Sequence, residues 1–165
     1  MFYMINYNKK LISLCVKLGL TISVAESCTG GLISSNLVAV PGASKVFKVG
    51  LITYSNQSKN YFLKVPLNIL KKHGAVSEQT AKLMVKGLSL NSNSDIFIGV
   101  TGIAGPKSEA SGKPVGLVYH SFLLKNINKL EVIKKNYKGS RENIRNDTTL
   151  YSIYHTYNLL NHLYR

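Results

Sequence analysis

Two segments of the sequence carry residue types that nucleophilic catalysis uses. Ser27-Cys28-Thr29-Gly30-Gly31 follows a short apolar run and opens a helical pattern, and Tyr54 and Lys59 lie five residues apart across a turn. A serine hydroxyl activated by a lysine amine is one of the established nucleophile–base combinations. A Ser–Lys pair is therefore one hypothesis for the chemistry of this chain.

Lys59 can act as a general base only in its neutral form. At the reference lysine pKa of ~10.4, about one molecule in a thousand is deprotonated near pH 7. Partial burial and the net charge of +14 both lower a lysine pKa, so a basic amine is physically accessible here. The alternative is a solvated surface group, as most lysines are.

Two features of the sequence suggest anion binding. Thr29-Gly30-Gly31 at a helix start offers free backbone N–H groups and a positive dipole end, which suit a phosphate or a developing oxyanion. The alternative is a tight strand-to-helix turn that needs small residues. Arg141 lies in the first turn of another predicted helix, where a cation opposes the dipole by ~0.3–1 kcal/mol. A bound phosphate would reverse this penalty, whereas the alternative is a solvated arginine on a basic surface.

Cys28 is a competing nucleophile, because a helix N-terminus lowers the pKa of a thiol. The sequence pairs no His or carboxylate with it, and a small buried cysteine is the commoner case. The four histidines form no HExxH motif or similar array with the two cysteines. We predict no metal site.

Alternating helical and strand patterns surround these residues. Apolar residues at helical spacing predict helices, and short runs rich in β-branched residues predict strands. The predicted helices span residues 7–18, 29–39, 56–63, 67–73 (ended by Gly74), 78–90 (capped by Ser77) and a long C-terminal segment capped by Ser140. The predicted strands are 20–25, 46–54, 96–100 and a hairpin of 115–124 with 130–137. This order predicts a layered α/β domain with a mixed sheet.

The polar segments follow the carboxyl ends of the predicted strands. Open α/β sheets bind ligands at that edge, where loops and helix N-termini meet. We therefore expect five segments to converge on one cleft. They are 27–31, 54–56, 101–102, the loop 102–113 and 139–141.

Length and composition fit one domain over residues 1–165. The chain is 45% hydrophobic, and Gly and Pro number 13 and 4, which excludes a disordered or fibrous chain. The two cysteines match no disulfide or zinc pattern, and no apolar run approaches ~20 residues, so we predict a soluble cytoplasmic protein without membrane contact. The 21 basic residues are spread along the chain rather than clustered. An anionic small substrate explains the charge as well as nucleic acid does, and we predict no nucleic-acid partner.

Seven short motifs, in order, resemble the CinA C-terminal domain family. These are the competence/damage-inducible protein A-like proteins, which include stand-alone nicotinamide-nucleotide amidohydrolases. The resemblance runs from about residue 7 to the C-terminus. The motifs are Ala25–Gly31 (AESCTGG), Pro41–Ser44 (PGAS), Tyr54–Lys59 (YSNQSK), His73–Ser77 (HGAVS), Thr101–Pro106 (TGIAGP), Lys113–Gly116 (KPVG) and Gly139–Arg141 (GSR).

The resemblance implies a single-domain, three-layer α/β/α sandwich with a mixed, mostly parallel sheet. It also implies an activity in pyridine nucleotide salvage and NAD metabolism: hydrolysis of the carboxamide of nicotinamide mononucleotide to nicotinate mononucleotide and ammonia. A dimer, no cofactor and a small-molecule nucleotide substrate are expected.

By position in the motifs, Ser44 resembles the family nucleophile, Lys59 its base and Tyr54 the phenol that assists proton movement. Ser27 remains an alternative nucleophile, because a strand-end turn easily exposes one. The resemblance also implies that Ser27 and Thr101 are substrate or oxyanion contacts and that Arg141 is a phosphate contact. The other predicted substrate-binding residues, from their positions at the strand ends and the helix start, are Thr29, Gly30, Gly31 and Gly102.

Two positions depart from the family pattern. The usually glycine-rich loop after Gly-Pro is Lys107-Ser108-Glu109-Ala110 here, and the family's Gly-Asp-Arg is Gly139-Ser140-Arg141. The loop is bulkier, and a carboxylate near Arg141 is missing. These departures motivate the alternative hypothesis of a catalytically silent CinA-like module that only binds nucleotide.

Overall fold

The structure of the protein, a computed structural model, describes residues 2–108 and 112–164. Glu109 and Ala110 of the unusual loop lie outside the described residues. The helices are α1 (Phe2–Leu18), α2 (Leu32–Val38), α3 (Ala43–Val46), α4 (Asn56–Leu63), α5 (Leu67–His73), α6 (Glu78–Asn91) and α7 (Arg141–Leu163). The strands are β1 (Ile22–Glu26), β2 (Phe47–Ile52), β3 (Ile96–Gly102), β4 (Leu117–Leu124) and β5 (Lys129–Asn136).

The strands form one mixed sheet in the order β2-β1-β3-β4-β5. β1 pairs in parallel with both β2 and β3, whereas β4 pairs antiparallel with β3 and with β5. β4 is therefore antiparallel to the other four strands, and the sheet is mixed and mostly parallel. β1 is buried along its whole length, which fits its position between two parallel neighbours and two helical layers.

Helices cover both faces of the sheet. On one face α1, α2, α3 and α7 pack together, and their apolar residues join the strands in a core that includes Leu11, Ile33, Phe122 and Ile153. On the other face α6 packs on the sheet with α4 and α5, and Met84, Val85 and Leu88 meet Phe97 there. The three-layer α/β/α sandwich is thus confirmed.

Most predicted elements are present, with differences at their ends. Ser77 and Ser140 cap α6 and α7 as predicted, by accepting hydrogen bonds from the backbone N–H groups of Thr80 and Asn143. The helix predicted from residue 29 begins only at Leu32, because Gly30 and Gly31 have left-handed φ angles of 61° and 98°. The short helix α3 was not predicted, and it takes the first residue of the strand expected from Val46.

Close contact between α4 and α6 depends on Gly87. A Cβ atom at this position would overlap the backbone carbonyl of Leu63, the last residue of α4. Lys59 lies one turn earlier on the same helix. A side chain at position 87 would therefore push away the helix that carries Lys59.

A polar cluster lies buried between β4 and α7. His120 Nδ1 is 3.0 Å from Ser152 Oγ, and its Nε2 is 2.9 Å from Tyr137 Oη. Ser152 Oγ donates its own proton to the Thr148 carbonyl, so it accepts from Nδ1–H and Tyr137 donates to Nε2. Burial, together with smaller effects of the nearby charges of His155 and Lys135, lowers the pKa of His120 to about 3. His120 is neutral in the folded protein at neutral pH.

We predict that Gly87→Ala destabilises the fold by ~3 kcal/mol, because the overlap outweighs the ~1 kcal/mol that alanine normally gains over glycine in a helix. Thermal unfolding of this variant should occur about 6–12 °C below that of the wild type. Lys86→Ala, an exposed change on the same helix turn, is the control and should leave the midpoint nearly unchanged. An equal midpoint for Gly87→Ala and wild type would contradict this packing.

We also predict a stability loss in acid that His120 causes. The unfolded chain binds a proton at this residue below its ordinary pKa of ~6.5, whereas the folded chain does not until pH falls to about 3. Between these values the contribution of His120 to stability falls by up to ~1.4 kcal/mol per pH unit as pH decreases.

Urea unfolding at pH 7.5, 5.5 and 4.5 measures this effect. His120→Gln should be less stable than wild type at pH 7.5 but should lose less stability on acidification. The exposed His162→Gln should keep the wild-type slope. Equal slopes for wild type and His120→Gln would show that His120 does not carry the acid sensitivity.

Candidate active site

A cleft of about 100 Å³ opens at the carboxyl edge of β1, β2 and β3. All five segments expected there contribute to it: 27–31, 54–56, 101–102, the loop 102–113 through Ala104, and 139–141. The 73–77 turn adds a further wall. The lining residues are Ser27, Cys28, Tyr54, Lys59, Ala75, Val76, Thr101, Gly102, Ala104 and Arg141.

Lys59 reaches the cleft from α4. Ser55 caps this helix through a reciprocal pair of hydrogen bonds with Ser58, and this fixes where its first turn begins. The Lys59 side chain is 0% exposed. Its Nζ lies 2.9 Å from Ser27 Oγ, 2.7 Å from the Thr53 carbonyl oxygen and 3.3 Å from the Tyr54 carbonyl oxygen.

These contacts suit an amine that exchanges a proton with Ser27. As an ammonium, Nζ donates to all three oxygens. As a neutral amine it has two N–H donors and one lone pair. The carbonyl oxygens of Thr53 and Tyr54 can accept the two donors, which leaves the lone pair for the Ser27 hydroxyl proton. Complete burial disfavours the charged form of such a group.

Ser27 lies on the turn between β1 and α2. Its backbone N–H donates to the Val100 carbonyl at 3.1 Å, and its carbonyl accepts from the Gly30 N–H at 3.1 Å. The next residue, Cys28, also lines the cleft. This places a backbone N–H immediately after the candidate nucleophile, as in other strand–turn–helix nucleophile sites.

Two of the three amides expected to bind an anion at Thr29–Gly31 already have partners in the protein, since the Gly30 N–H donates to the Ser27 carbonyl and the Gly31 N–H donates to the Glu26 carboxylate. The Glu26 carboxylate accepts from the backbone N–H groups of Gly31 (2.9 Å), Ile33 (3.1 Å) and Ser34 (2.9 Å). A helix N-terminus does hold an anion here, but the anion is a side chain of the protein. Thr29, Gly30 and Gly31 are also absent from the cleft lining, so the structure does not place them against a substrate.

The Cys28 thiol does not have the properties of a nucleophile. It is buried, and this burial raises its pKa to about 12 despite the opposing effects of backbone hydrogen bonds and the Lys59 charge. The sequence-based idea that the helix N-terminus activates this thiol is wrong, because desolvation outweighs the dipole.

Arg141 and Tyr54 meet at the mouth of the cleft. Arg141 Nη1 donates to the Gly105 carbonyl at 2.6 Å, and its Nη2 donates to Tyr54 Oη at 3.2 Å. Ser140 and Asn143 form the capping pair of α7, so the helix starts in an ordinary way although the family carboxylate is missing. Hydrogen bonds to Gly105 and Tyr54 orient Arg141 instead of the missing carboxylate. Tyr54 is 61% exposed.

The hydroxyl proton of Thr101 is already used in a hydrogen bond within the protein. Its Oγ1 donates to the Ala75 carbonyl at 2.8 Å. A ligand can therefore donate an N–H to this oxygen but cannot receive a hydrogen bond from it. Of the two roles predicted for Thr101, the substrate contact fits and the oxyanion donor does not.

Ser44 lies away from this cleft. It is exposed in α3 and lines a separate cavity of about 350 Å³ together with Val40 and Phe47. The length of β2 separates α3 from Tyr54, about 16 Å at ~3.3 Å per residue. Within one chain the structure brings Lys59, Tyr54, Thr101 and Arg141 to Ser27 and does not bring Ser44 to them.

Three contributors to the site were not predicted. Glu26 and Arg145 hold the turn that carries Ser27, and Lys113 Nζ donates to the carbonyls of His73 and Val76 at 2.7 and 2.6 Å, which fixes the wall at 75–76. A carboxylate ending a buried strand just before a Gly-Gly helix start was the available signal for Glu26. The other two contacts are long-range and left no local pattern.

Between residues 2 and 164, with 109–111 left aside, no helix combines the length and apolarity needed to cross a bilayer. In the same residues, no three His, Cys, Asp or Glu side chains lie close enough together to hold a metal ion.

Sequence comparison matches residues 5–160 to a family described as the CinA C-terminal domain. A putative competence-damage inducible protein of Caldicellulosiruptor bescii is 49% identical over 139 residues, which are 84% of this chain and 33% of that protein. A CinA-like protein of Petrotoga mobilis is 42% identical over 154 residues, 93% of this chain and 38% of that protein. The chain thus spans about a third of the length of these curated relatives.

Solved structures share the fold closely. The competence/damage inducible protein CihA from Agrobacterium tumefaciens is 36% identical with a TM-score of 0.91, and 96% of each chain is covered. The competence damage-inducible protein A from Klebsiella pneumoniae is 26% identical with a TM-score of 0.93, with 96% of this chain and 98% of that chain covered.

We predict that neither cysteine reacts readily in the folded protein. Burial raises the pKa of Cys15 to about 12, as it does for Cys28, so neither is a thiolate at pH 8. Titration with a chromogenic disulfide reagent should show almost no fast thiol in the native protein and two in denaturant. One thiol that reacts within seconds in the native protein would contradict the assignment of Cys28 as inert.

Proposed function

The chain belongs to the CinA C-terminal domain family, and from this premise we propose that it is an amidohydrolase with a serine nucleophile and a lysine base. The proposed reaction converts nicotinamide mononucleotide and water to nicotinate mononucleotide and ammonia. The substrate is the one implied by the family resemblance, and the geometry of the cleft supports the proposed residue roles.

One observation carries the proposal: the fully buried Lys59 Nζ lies 2.9 Å from Ser27 Oγ. This distance is within the range required between a nucleophile and its general base. A buried amine among apolar and carbonyl neighbours is costly to maintain for stability alone. Its position beside a hydroxyl in a cleft favours a chemical role.

Acylation begins when Ser27 Oγ attacks the carboxamide carbon and its proton moves to the Lys59 amine. The tetrahedral intermediate carries a negative oxygen, and we assign the Cys28 backbone N–H, which follows Ser27 in the chain, as its hydrogen-bond donor. The C–N bond then breaks, and the Lys59 ammonium gives its proton to the leaving nitrogen, which departs as ammonia. An ester between Ser27 and the nicotinoyl group remains.

Deacylation repeats the same steps with water. The Lys59 amine takes a proton from a water molecule, and the resulting hydroxide attacks the ester carbon. When the C–O bond to Ser27 breaks, the Lys59 proton returns to Ser27 Oγ. The product is a carboxylic acid, and the Ser27–Lys59 pair is restored.

Thr101 favours an amide over an ester as substrate. Because its hydroxyl proton is given to Ala75, its free lone pairs can accept an N–H from the carboxamide nitrogen. An ester oxygen in the same place would lie against Thr101 Oγ1 with no proton between the two hydrogen-bond acceptors. This preference is consistent with a primary carboxamide as the reacting group.

The cleft is large enough for the reacting end of a nucleotide only. Its volume of about 100 Å³ is below the ~300 Å³ at which typical ligand pockets begin. The ribose and phosphate would therefore lie over the mouth, where the exposed Arg141 retains N–H groups beyond those bonded to Gly105 and Tyr54. We assign Arg141 to the phosphate and Tyr54 to the orientation of Arg141. The net charge of +14 favours an anionic substrate in general.

Replacing either member of the pair should remove activity. We predict that Ser27→Ala and Lys59→Met each lower kcat for ammonia release from nicotinamide mononucleotide by at least ~1000-fold, since serine and its base act as one unit. Ser44→Ala and Cys28→Ala are the matched controls, and each should retain activity within about three-fold of wild type. A coupled ammonia assay on purified protein measures all four variants.

Other outcomes of this assay are equally clear. Loss of activity in Ser44→Ala with retention in Ser27→Ala would restore Ser44 as the nucleophile and overturn the assignment made here. A folded wild-type protein that the nucleotide stabilises thermally without any ammonia release would be the catalytically silent module, and the amidohydrolase would be excluded.

A further inference from the structure

The turn that carries Ser27 contains two glycines, which by themselves would leave its backbone flexible. Residues 27–31 join β1 to α2, and Gly30 and Gly31 both have left-handed φ angles. Gly31, at the N-cap position of α2, has no side chain that could close the helix. Glycines allow many backbone conformations, so the single conformation of this turn must be imposed by other parts of the molecule.

Glu26 holds the N–H side of the turn. Its Oε2 accepts from the N–H groups of Gly31 and Ile33, and its Oε1 accepts from the Ser34 N–H and from Ser34 Oγ at 2.7 Å. Its own backbone carbonyl accepts from the Thr53 N–H at 2.8 Å. Glu26 is 0% exposed. One residue thus joins the start of α2 to the segment whose carbonyls contact Lys59.

Arg145 holds the carbonyl side of the turn. Its Nε donates to the Cys28 carbonyl at 3.2 Å, and its Nη2 donates to the Thr29 carbonyl at 2.8 Å. It lies one turn after Arg141 on α7 and is half-buried. The rigid guanidinium fork can fix two carbonyls at once, which a lysine ammonium does less well.

Together the two side chains leave the turn little freedom. The Ser27 carbonyl is bonded to Gly30, and the next two carbonyls are bonded to Arg145. The direction of each peptide plane is therefore fixed, including the plane that contains the Cys28 N–H. Neither Glu26 nor Arg145 is among the described residues that line the cleft.

We infer that Glu26 and Arg145 form a clamp of positioning residues that holds Ser27 Oγ and the Cys28 N–H in the geometry for attack. This inference rests on the proposed function, in which Ser27 is the nucleophile. The clamp acts on the transition state rather than on substrate binding, because a nucleophile displaced by ~1 Å loses about 100-fold in rate.

Arg145→Ala tests the clamp, with Lys138→Ala as the control for loss of one exposed positive charge before α7. Hydrogen exchange of the segment 27–35 should become faster in Arg145→Ala, by about ten-fold or more, with the rest of the chain unchanged. The kcat for ammonia release should fall about 100-fold while KM stays within about three-fold. Added guanidinium ions should restore part of kcat in Arg145→Ala and should not affect Lys138→Ala.

Glu26→Gln provides the second test, with Glu142→Gln, an exposed change in the first turn of α7, as its control. Glutamine keeps one acceptor oxygen and loses the other, so the same segment should exchange faster and kcat should fall. The thermal midpoint is measured for every variant. Arg145→Ala keeps the inference testable if Glu26→Gln does not fold.

The possible results distinguish a failure of the clamp from a failure of the proposed amidohydrolase activity. Unchanged exchange in 27–35, or faster exchange spread over the whole chain with a lower thermal midpoint, would overturn the clamp. A rise in KM with unchanged kcat would also overturn it, since substrate binding would then be the property affected. Local exchange changes as expected, in a protein whose wild type releases no ammonia, would support the clamp and overturn the proposed reaction.

Discussion

A lysine amine held out of water against a serine hydroxyl is the interaction on which the rest of the site depends. Desolvation of an ammonium is costly, so Lys59 can remain buried only while nearby oxygens accept its N–H groups. Those oxygens come from the end of β2 and from the turn after β1. The helix that carries Lys59 in turn relies on its Ser55 cap and on the space above Gly87. Sheet, turn and helix must all be in place for the amine to meet the hydroxyl.

The charged side chains around the Ser27–Lys59 pair have different partners and therefore different roles. The carboxylate of Glu26 satisfies the helix amides beside Ser27, which would otherwise attract a solvent anion. Arg145 faces backbone carbonyls, whereas Arg141 faces the mouth of the cleft. The interior arginine is thus structural, and the outer one is available to a substrate. In the proposed function, the cation that recognises the substrate is Arg141 at the mouth of the cleft.

Local patterns predicted the elements and the edge of the sheet where the site lies, because strand ends, glycine turns and serine caps such as Ser77 and Ser140 are local signals. The assignment of Lys59 and Tyr54 to the site came from the family resemblance, since their spacing alone left a solvated surface lysine as the alternative. Local patterns could not predict contacts across the fold, such as the hydrogen bonds of Arg145 to the 28–29 carbonyls. The preference for Ser44 over Ser27 came from position in the motifs. Motif position does not tell how far a residue lies from Lys59 in the folded protein. The inert state of Cys28 depends on burial in three dimensions, which opposed and exceeded the helix dipole.

Labelling with a serine-directed fluorophosphonate, followed by peptide mass spectrometry, tests the Ser27–Lys59 pair most directly. The reagent reports which hydroxyl is activated by a neighbouring base. A buried pair predicts one adduct, on Ser27, and near-complete loss of labelling when Lys59 is replaced by Met. An adduct on Ser44, or undiminished labelling of Ser27 without the lysine, would contradict the central claim.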